Sequence, residues 1–187
     1  MKRLIAVFLL IVLGGGRMPA CASEPFRVAA RGAVLIDADS GRVLFAQNAD
    51  QRLPMASTTK VMTTLLALEN AGLDEMVTAG RNAAGVPGTS LYLSRGEALS
   101  MEHMLYGLML RSGNDAAVAV AEHIAGSVSA FADMMNAKAE ALGANAHFVN
   151  PHGLDAEGHG ISALGLALVM RQAMKNESFR KITGTRR

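Results

Sequence analysis

The sequence predicts an α+β fold, an antiparallel sheet with packed helices, on three observations. A β-hairpin pattern stands near the start, a train of apolar helices follows it, and turn residues separate them. In "GAVLIDADSGRVLFAQNAD" two β-rich runs, around Val34–Asp37 and Arg42–Gln47, flank Asp39-Ser40-Gly41, which is hairpin chemistry. Helices are predicted over Ser57–Asn70, Ser100–Leu110, Asn114–Ile124, Ser129–Leu142 and Ser162–Lys175, several with Ser or Asn at the cap position. "RNAAGVPGTSLYLSRG", from Arg81 to Gly96, reads as a Gly/Pro-punctuated connection. Two strands make a marginal sheet for five helices, so part of the domain is expected to be missing.

Residues 1–22 read as a signal peptide: Lys2 and Arg3, an apolar run from Leu4 to Leu13, then the small-residue site Ala20-Cys21-Ala22. The run is short for a membrane span. Lipidation at Cys21 is the weaker alternative, because Met18 and Pro19 fit a lipidation site poorly. Cleavage after Ala22 removes Lys2, Arg3 and Arg17, leaving 15 basic against 16 acidic residues, a net charge of −1 rather than +2. The only cysteine leaves as well, so residues 23–187 form one exported domain without a disulfide, placed in the periplasm, cell envelope or extracellular space. No clustered basic patch remains to suggest nucleic acid.

Ser57-Thr58-Thr59-Lys60 opens the first predicted helix. A serine there lies among unpaired N–H groups and the positive dipole end, which favour a developing oxyanion. A lysine three residues on shares its face, and burial lets it lose its proton and act as a base. The bland reading is a helix cap and a solvated lysine, and a lone Ser-x-x-Lys does not exclude it. Ser178 and Lys181 also match, in what reads as a polar, basic tail with no apolar helix behind it. Ser112-Gly113-Asn114 is a polar turn between two strongly apolar helices, again readable alone as a cap.

Together, "MASTTKVMTTLLALE", "GTSLYLSRGEALSMEHMLYGLMLRSGNDAAVAVAEHIAGS" and "HFVNPHGLDAEGH" resemble the low-molecular-mass penicillin-binding proteins that are serine-type D-alanyl-D-alanine carboxypeptidases. The likeness runs from about Ala33 to Thr185 and implies the serine β-lactamase/penicillin-binding-protein fold. It implies Ser57 as acyl-ester nucleophile, Lys60 as general base, Ser112 as proton relay and Asn114 as substrate-binding residue and anchor for Lys60. Peptidoglycan stem peptides ending in D-Ala-D-Ala are the implied substrates and β-lactams the implied covalent inhibitors, with no cofactor and no metal.

The family's third motif, Lys-Thr-Gly on a strand beside the site, has no counterpart. Lys181-Ile182-Thr183-Gly184 carries an extra residue, and three residues follow it. The chain is therefore expected to be a member truncated before that motif, without the C-terminal membrane anchor of many relatives. Apolar helix faces such as Val61, Leu65 and Leu68 are then expected to be partly exposed. Gly165, where relatives tend to be acidic, is expected to cost about 1 kcal/mol relative to alanine.

Three other readings compete. A metal site would draw on His147, His152, Asp155, Glu157 and His159, but their spacings match no usual ligand pattern, and solvated loop residues are the plainer reading. A class A β-lactamase lacks its Glu-x-x-Leu-Asn segment here. An inactive fragment, or a binder of wall peptides or β-lactams without turnover, is the reading from another class.

Overall fold

The helix that carries Ser-x-x-Lys forms the centre of the molecule. In the computed structural model, which describes residues 26–186, α1 (Thr59–Asn70) is buried from Thr59 through Ala67. Its run of apolar and threonine side chains from Val61 to Ala67 leaves no charged face there, so neighbours can pack on every side of it. Around it lie α2 (Met101–Leu110), α3 (Asn114–Ala125), α4 (Val128–Ala141), α5 (Ala163–Ala173) and a short α6 (Glu177–Thr183). One cluster, with Met62, Leu65, Phe131, Met135, Phe148 and Phe179, fills the space toward α4, α5 and α6. A second, with Val77, Met101, Met104, Leu105, Leu108 and Val120, joins α1 to α2 and α3.

Four helices start on side-chain caps, three of them at or beside the positions that the sequence suggests and the fourth, α6, at one that it does not. Ser100, Ser127, Ser162 and Asn176 accept from the N–H groups of His103, Ala130, Gly165 and Phe179, three residues on. The α3 cap is Gly113, which frees the Asn114 side chain for other use.

Strands β1 (Ala33–Ile36) and β2 (Val43–Gln47) form the expected antiparallel hairpin, with a bulge between Leu35 and Ile36. Its turn is tied to α5 by Arg171, whose guanidinium donates to Ala38 O and Asp39 O. Five short strands add two further antiparallel sheets. β3 (Arg52–Leu53), β7 (Gly160–Ser162) and β6 (Ala146–His147) form one in that order, and β4 (Met76–Thr78) pairs β5 (Ala98–Ser100) in the other. The architecture is thus α+β with small open sheets.

Several expectations are corrected. Val61 and Leu65 are only 6% and 2% exposed, because the helices cover one another, whereas Leu68 is partly exposed as expected. The hairpin exposes apolar side chains at Leu35, Val43 and Leu44, and Met76, Tyr92 and Met174 are exposed elsewhere. The segment around Ser178 and Lys181 is helix α6, anchored by buried Phe179 and Ile182 against α2 and α1. Gly165 sits in the first turn of α5, where an added Cβ would lie 3.1 to 3.2 Å from Ile161, Ser162 and Asn145 N, so alanine would crowd the site rather than stabilise it. Residues 1–22, read as a signal peptide, lie outside the described residues apart from any structural test.

Candidate active site

Ser57 lies in a short 3₁₀ turn (Ala56–Thr58) that leads into α1. Its side chain is exposed and caps neither this turn nor α1, so the cap reading fails. One turn on, Lys60 is only 2% exposed, which also removes the reading as a solvated lysine. Lys60 Nζ donates to three acceptors: Asn114 Oδ1 at 2.8 Å, His152 O at 2.7 Å and Ser57 Oγ at 3.3 Å. Burial pushes the ammonium down to about 8.

That geometry decides where the lone pair goes when Lys60 is neutral. Two N–H bonds stay on the two carbonyl-type oxygens, which have no proton to give. The remaining tetrahedral direction is the one facing Ser57 Oγ. A neutral Lys60 is therefore held as an acceptor for the serine proton, and a charged one as a donor to the same oxygen.

Ser112 closes the site from the other side, its Oγ 3.0 Å from Ser57 Oγ. It joins α2 to α3 with φ of +57°, a left-handed conformation unusual for serine and costing about 1 kcal/mol or more. The Gly113 N–H to Gly107 O and the Asn114 N–H to Thr89 O hold the backbone on either side. Asn114 is buried with both amide ends engaged, since Nδ2 donates to Pro87 O at 2.7 Å. Gly88, with φ of +88°, passes so close that a Cβ would lie 2.8 Å from Asn114 Nδ2.

The loop that carries Pro87 and Thr89 is itself fixed by Asp115, which the sequence reading missed. Asp115 is fully buried and accepts from the N–H groups of Leu91, Leu93 and Ala116. Burial alone would raise its carboxyl, but those N–H groups, with Ser90, hold it below the ordinary range. Its position directly after Asn114 was the available signal. His152 O and Pro87 O were also missed, and a backbone carbonyl leaves no signal in side-chain type.

The five residues of the metal reading do not converge on one site. His152 Nδ1 accepts from Leu154 N–H, and burial together with the Lys60 charge lowers the ring to about 4. His159 is buried against Thr59 rather than solvated, whereas His147, Asp155 and Glu157 are exposed. Among the described residues no group of three or more His, Cys, Asp or Glu side chains is placed to hold a metal ion. Lys181, the tail's lysine, extends from α6 to Glu102 at 3.2 Å. A cleft of about 420 Å³ between β1 and α5 is lined mainly by apolar groups such as Val34, Ile36 and Met170, and includes none of the four candidate residues.

A family model described as D-alanyl-D-alanine carboxypeptidase matches residues 18–187. The chain belongs to the D-alanyl-D-alanine carboxypeptidase family. The carboxypeptidase DacF of Bacillus subtilis is 43% identical over 162 residues, 83% of this chain and 42% of that protein. DacA of Escherichia coli K12 is 43% identical over 148 residues, 73% of this chain and 37% of that protein. Among solved structures, the D-alanyl-D-alanine carboxypeptidase of Mycobacterium tuberculosis H37Rv superposes with a TM-score of 0.81 at 35% identity, covering 88% of this chain and 64% of the other. The carboxypeptidase fold is thereby shown for this chain, which spans well under half the length of the two curated relatives.

Proposed function

We propose that this chain carries the acylation machinery of a serine D-Ala-D-Ala carboxypeptidase. The observation that supports the reading is the meeting of Ser57, Lys60, Ser112 and Asn114 within hydrogen-bond reach, the two serines coming from positions 55 apart in sequence. Ser57 Oγ attacks the carbonyl carbon between the two terminal D-alanines, and its proton passes to neutral Lys60 Nζ. As the tetrahedral intermediate collapses, the C–N bond breaks and the proton returns through Ser112 Oγ to the departing amine of D-alanine. Asn114 keeps Lys60 aimed throughout. Water then cleaves the Ser57 ester and restores the serine.

The substrate is a peptidoglycan stem peptide ending in D-Ala-D-Ala, and β-lactams acylate the same oxygen. Residues 1–22 direct export and are removed after Ala22, leaving residues 23–187 in the cell envelope as the catalytic region. Among the described residues no helix is long and apolar enough to cross a membrane.

A second reading is a β-lactam or wall-peptide binder without turnover, since Ser57 with Lys60 beside it accounts for acylation alone. Release of D-alanine from a peptide ending in D-Ala-D-Ala, compared between the chain and Ser57→Ala, separates the two. Release that depends on Ser57 supports the carboxypeptidase. Penicillin labelling at Ser57 without release supports the binder.

A further inference from the structure

The neutral ring of His159 has both nitrogens engaged. Val149 N–H donates to Nδ1 at 3.0 Å, so the ring proton belongs on Nε2, which lies 3.0 Å from Thr59 Oγ1. Thr59 Oγ1 accepts that proton and donates its own to Ala56 O at 2.8 Å. The backbone N–H of Thr59 is also directed at Ala56 O. Ala56 has φ of +45°, and Gly153 leans on its carbonyl so closely that a Cβ there would lie 1.8 Å from Ala56 O. A great deal of structure thus converges on one carbonyl.

That carbonyl belongs to the peptide whose N–H is that of Ser57. The peptide unit is planar and its C=O and N–H point in opposite directions, so fixing Ala56 O fixes where the Ser57 N–H points. This N–H stands in the first turn, where intrahelical partners are lacking, beside the nucleophile's own Oγ. Hydrogen bonds on the carbonyl also polarise the amide and strengthen its N–H as a donor.

We infer that His159, acting through Thr59, is a positioning residue that aims and strengthens the Ser57 backbone N–H as an oxyanion donor. The inference rests on Ser57 being the nucleophile. It gives the two residues a role distinct from packing: the contact of the His159 ring with Phe148 needs only an aromatic edge, whereas the bond to Thr59 Oγ1 needs a donor at Nε2. Burial, the chief cause, and His147 keep the ring from protonating, against a smaller pull from Asp155, and His152 on the same loop is the other titratable neighbour. Protonation would put a second N–H on Nδ1, facing that of Val149, and break the arrangement from its far end.

The test is the rate of Ser57 acylation by a fluorescent penicillin. Thr59→Val is expected to slow it about tenfold or more, short of the loss of a whole oxyanion donor, with Thr59→Ser restoring it. His159→Phe should slow it similarly and non-additively with Thr59→Val. His159→Gln, which keeps an N–H donor but cannot titrate, should recover most of the rate and lose any acid limb that belongs to His159. A Thr59→Val rate equal to wild type overturns the inference.

A second measurement needs no acylation. In ¹⁵N–¹H spectra the Ser57 amide should shift as His159 titrates below its ordinary 6.5, and stop following it in Thr59→Val. An amide indifferent to that titration in the wild type also overturns the inference. Failure of the wild-type chain to acylate would instead count against the carboxypeptidase reading and leave this spectroscopic result standing.

Discussion

Lys60 Nζ lies 2.8 Å from Asn114 Oδ1 across 54 positions of sequence, and the asparagine's other amide atom is bonded to Pro87 O. Asn114 therefore has no rotational freedom, and neither has the lysine it holds. Replacing the amide by a carboxylate in Asn114→Asp places a negative charge beside the ammonium and raises its pKa. The pH at which acylation reaches half its maximum should move upward from about 8, the value that burial sets for Lys60. An unchanged pH profile in a folded Asn114→Asp protein would show that Lys60 is not the base.

In the wild type, acylation of Ser57 should rise with pH through about 8, since only neutral Lys60 accepts the serine proton. The stability consequence has a definite sign. Lys60 titrates near 8 when folded and at 10.5 otherwise, so the unfolded chain binds more protons between those values. Its contribution is greatest above 10.5 and is lost as pH falls through 8. Compared with Lys60→Met, the wild type should gain roughly 3 kcal/mol between pH 8 and 10.5. Denaturant melts of the two proteins at those pH values would measure it, and parallel curves would refute it.

Asp115 does for the Leu91–Leu93 loop what a turn of regular structure would do. Asp115→Ala removes the acceptor for three N–H groups and should cost about 3 kcal/mol while loosening the loop that holds Asn114. With a folded pKa below 3.8, the Asp115 contribution is present above that value and is lost as pH falls further. The difference between wild type and variant should accordingly shrink in acid, and a difference that grows below pH 4 would contradict the assignment.

Glycine at 153 is required by contact as well as by conformation. Gly153→Ala would force a Cβ to 1.8 Å from Ala56 O at φ of +92°, and should destabilise the protein by several kcal/mol or displace the turn that carries Ser57. Gly143 has φ of +67° with open space around its Cβ direction, so Gly143→Ala should cost only about 1 kcal/mol. Thermal melts that rank the two alike would show that the turn yields to Gly153→Ala without cost.

Helices α1 to α5 were legible because each runs for ten residues or more with apolar spacing, and α2, α4 and α5 start on serine caps. The strands β3 to β7 were not, since two or three residues cannot display a period of two, and their pairing comes from residues far away in sequence. Helix α6 was missed because it buries only Phe179 and Ile182 among charged neighbours. Ser57, Lys60, Ser112 and Asn114 were readable as side chains of the right kinds, and their convergence was expected from resemblance. The parts that aim them were not readable: two backbone carbonyls, a buried carboxylate and a histidine that looked like a loop residue. Each owes its role to position alone.

Peptide mapping after reaction with a penicillin tests the acylating site most directly. Mass spectrometry of the digested protein should find the penicilloyl ester on the peptide containing Ser57, abolished by Ser57→Ala and unaffected by Ser178→Ala. A penicilloyl ester on any other serine, or one that persists in Ser57→Ala, would contradict the assignment of Ser57 as the nucleophile.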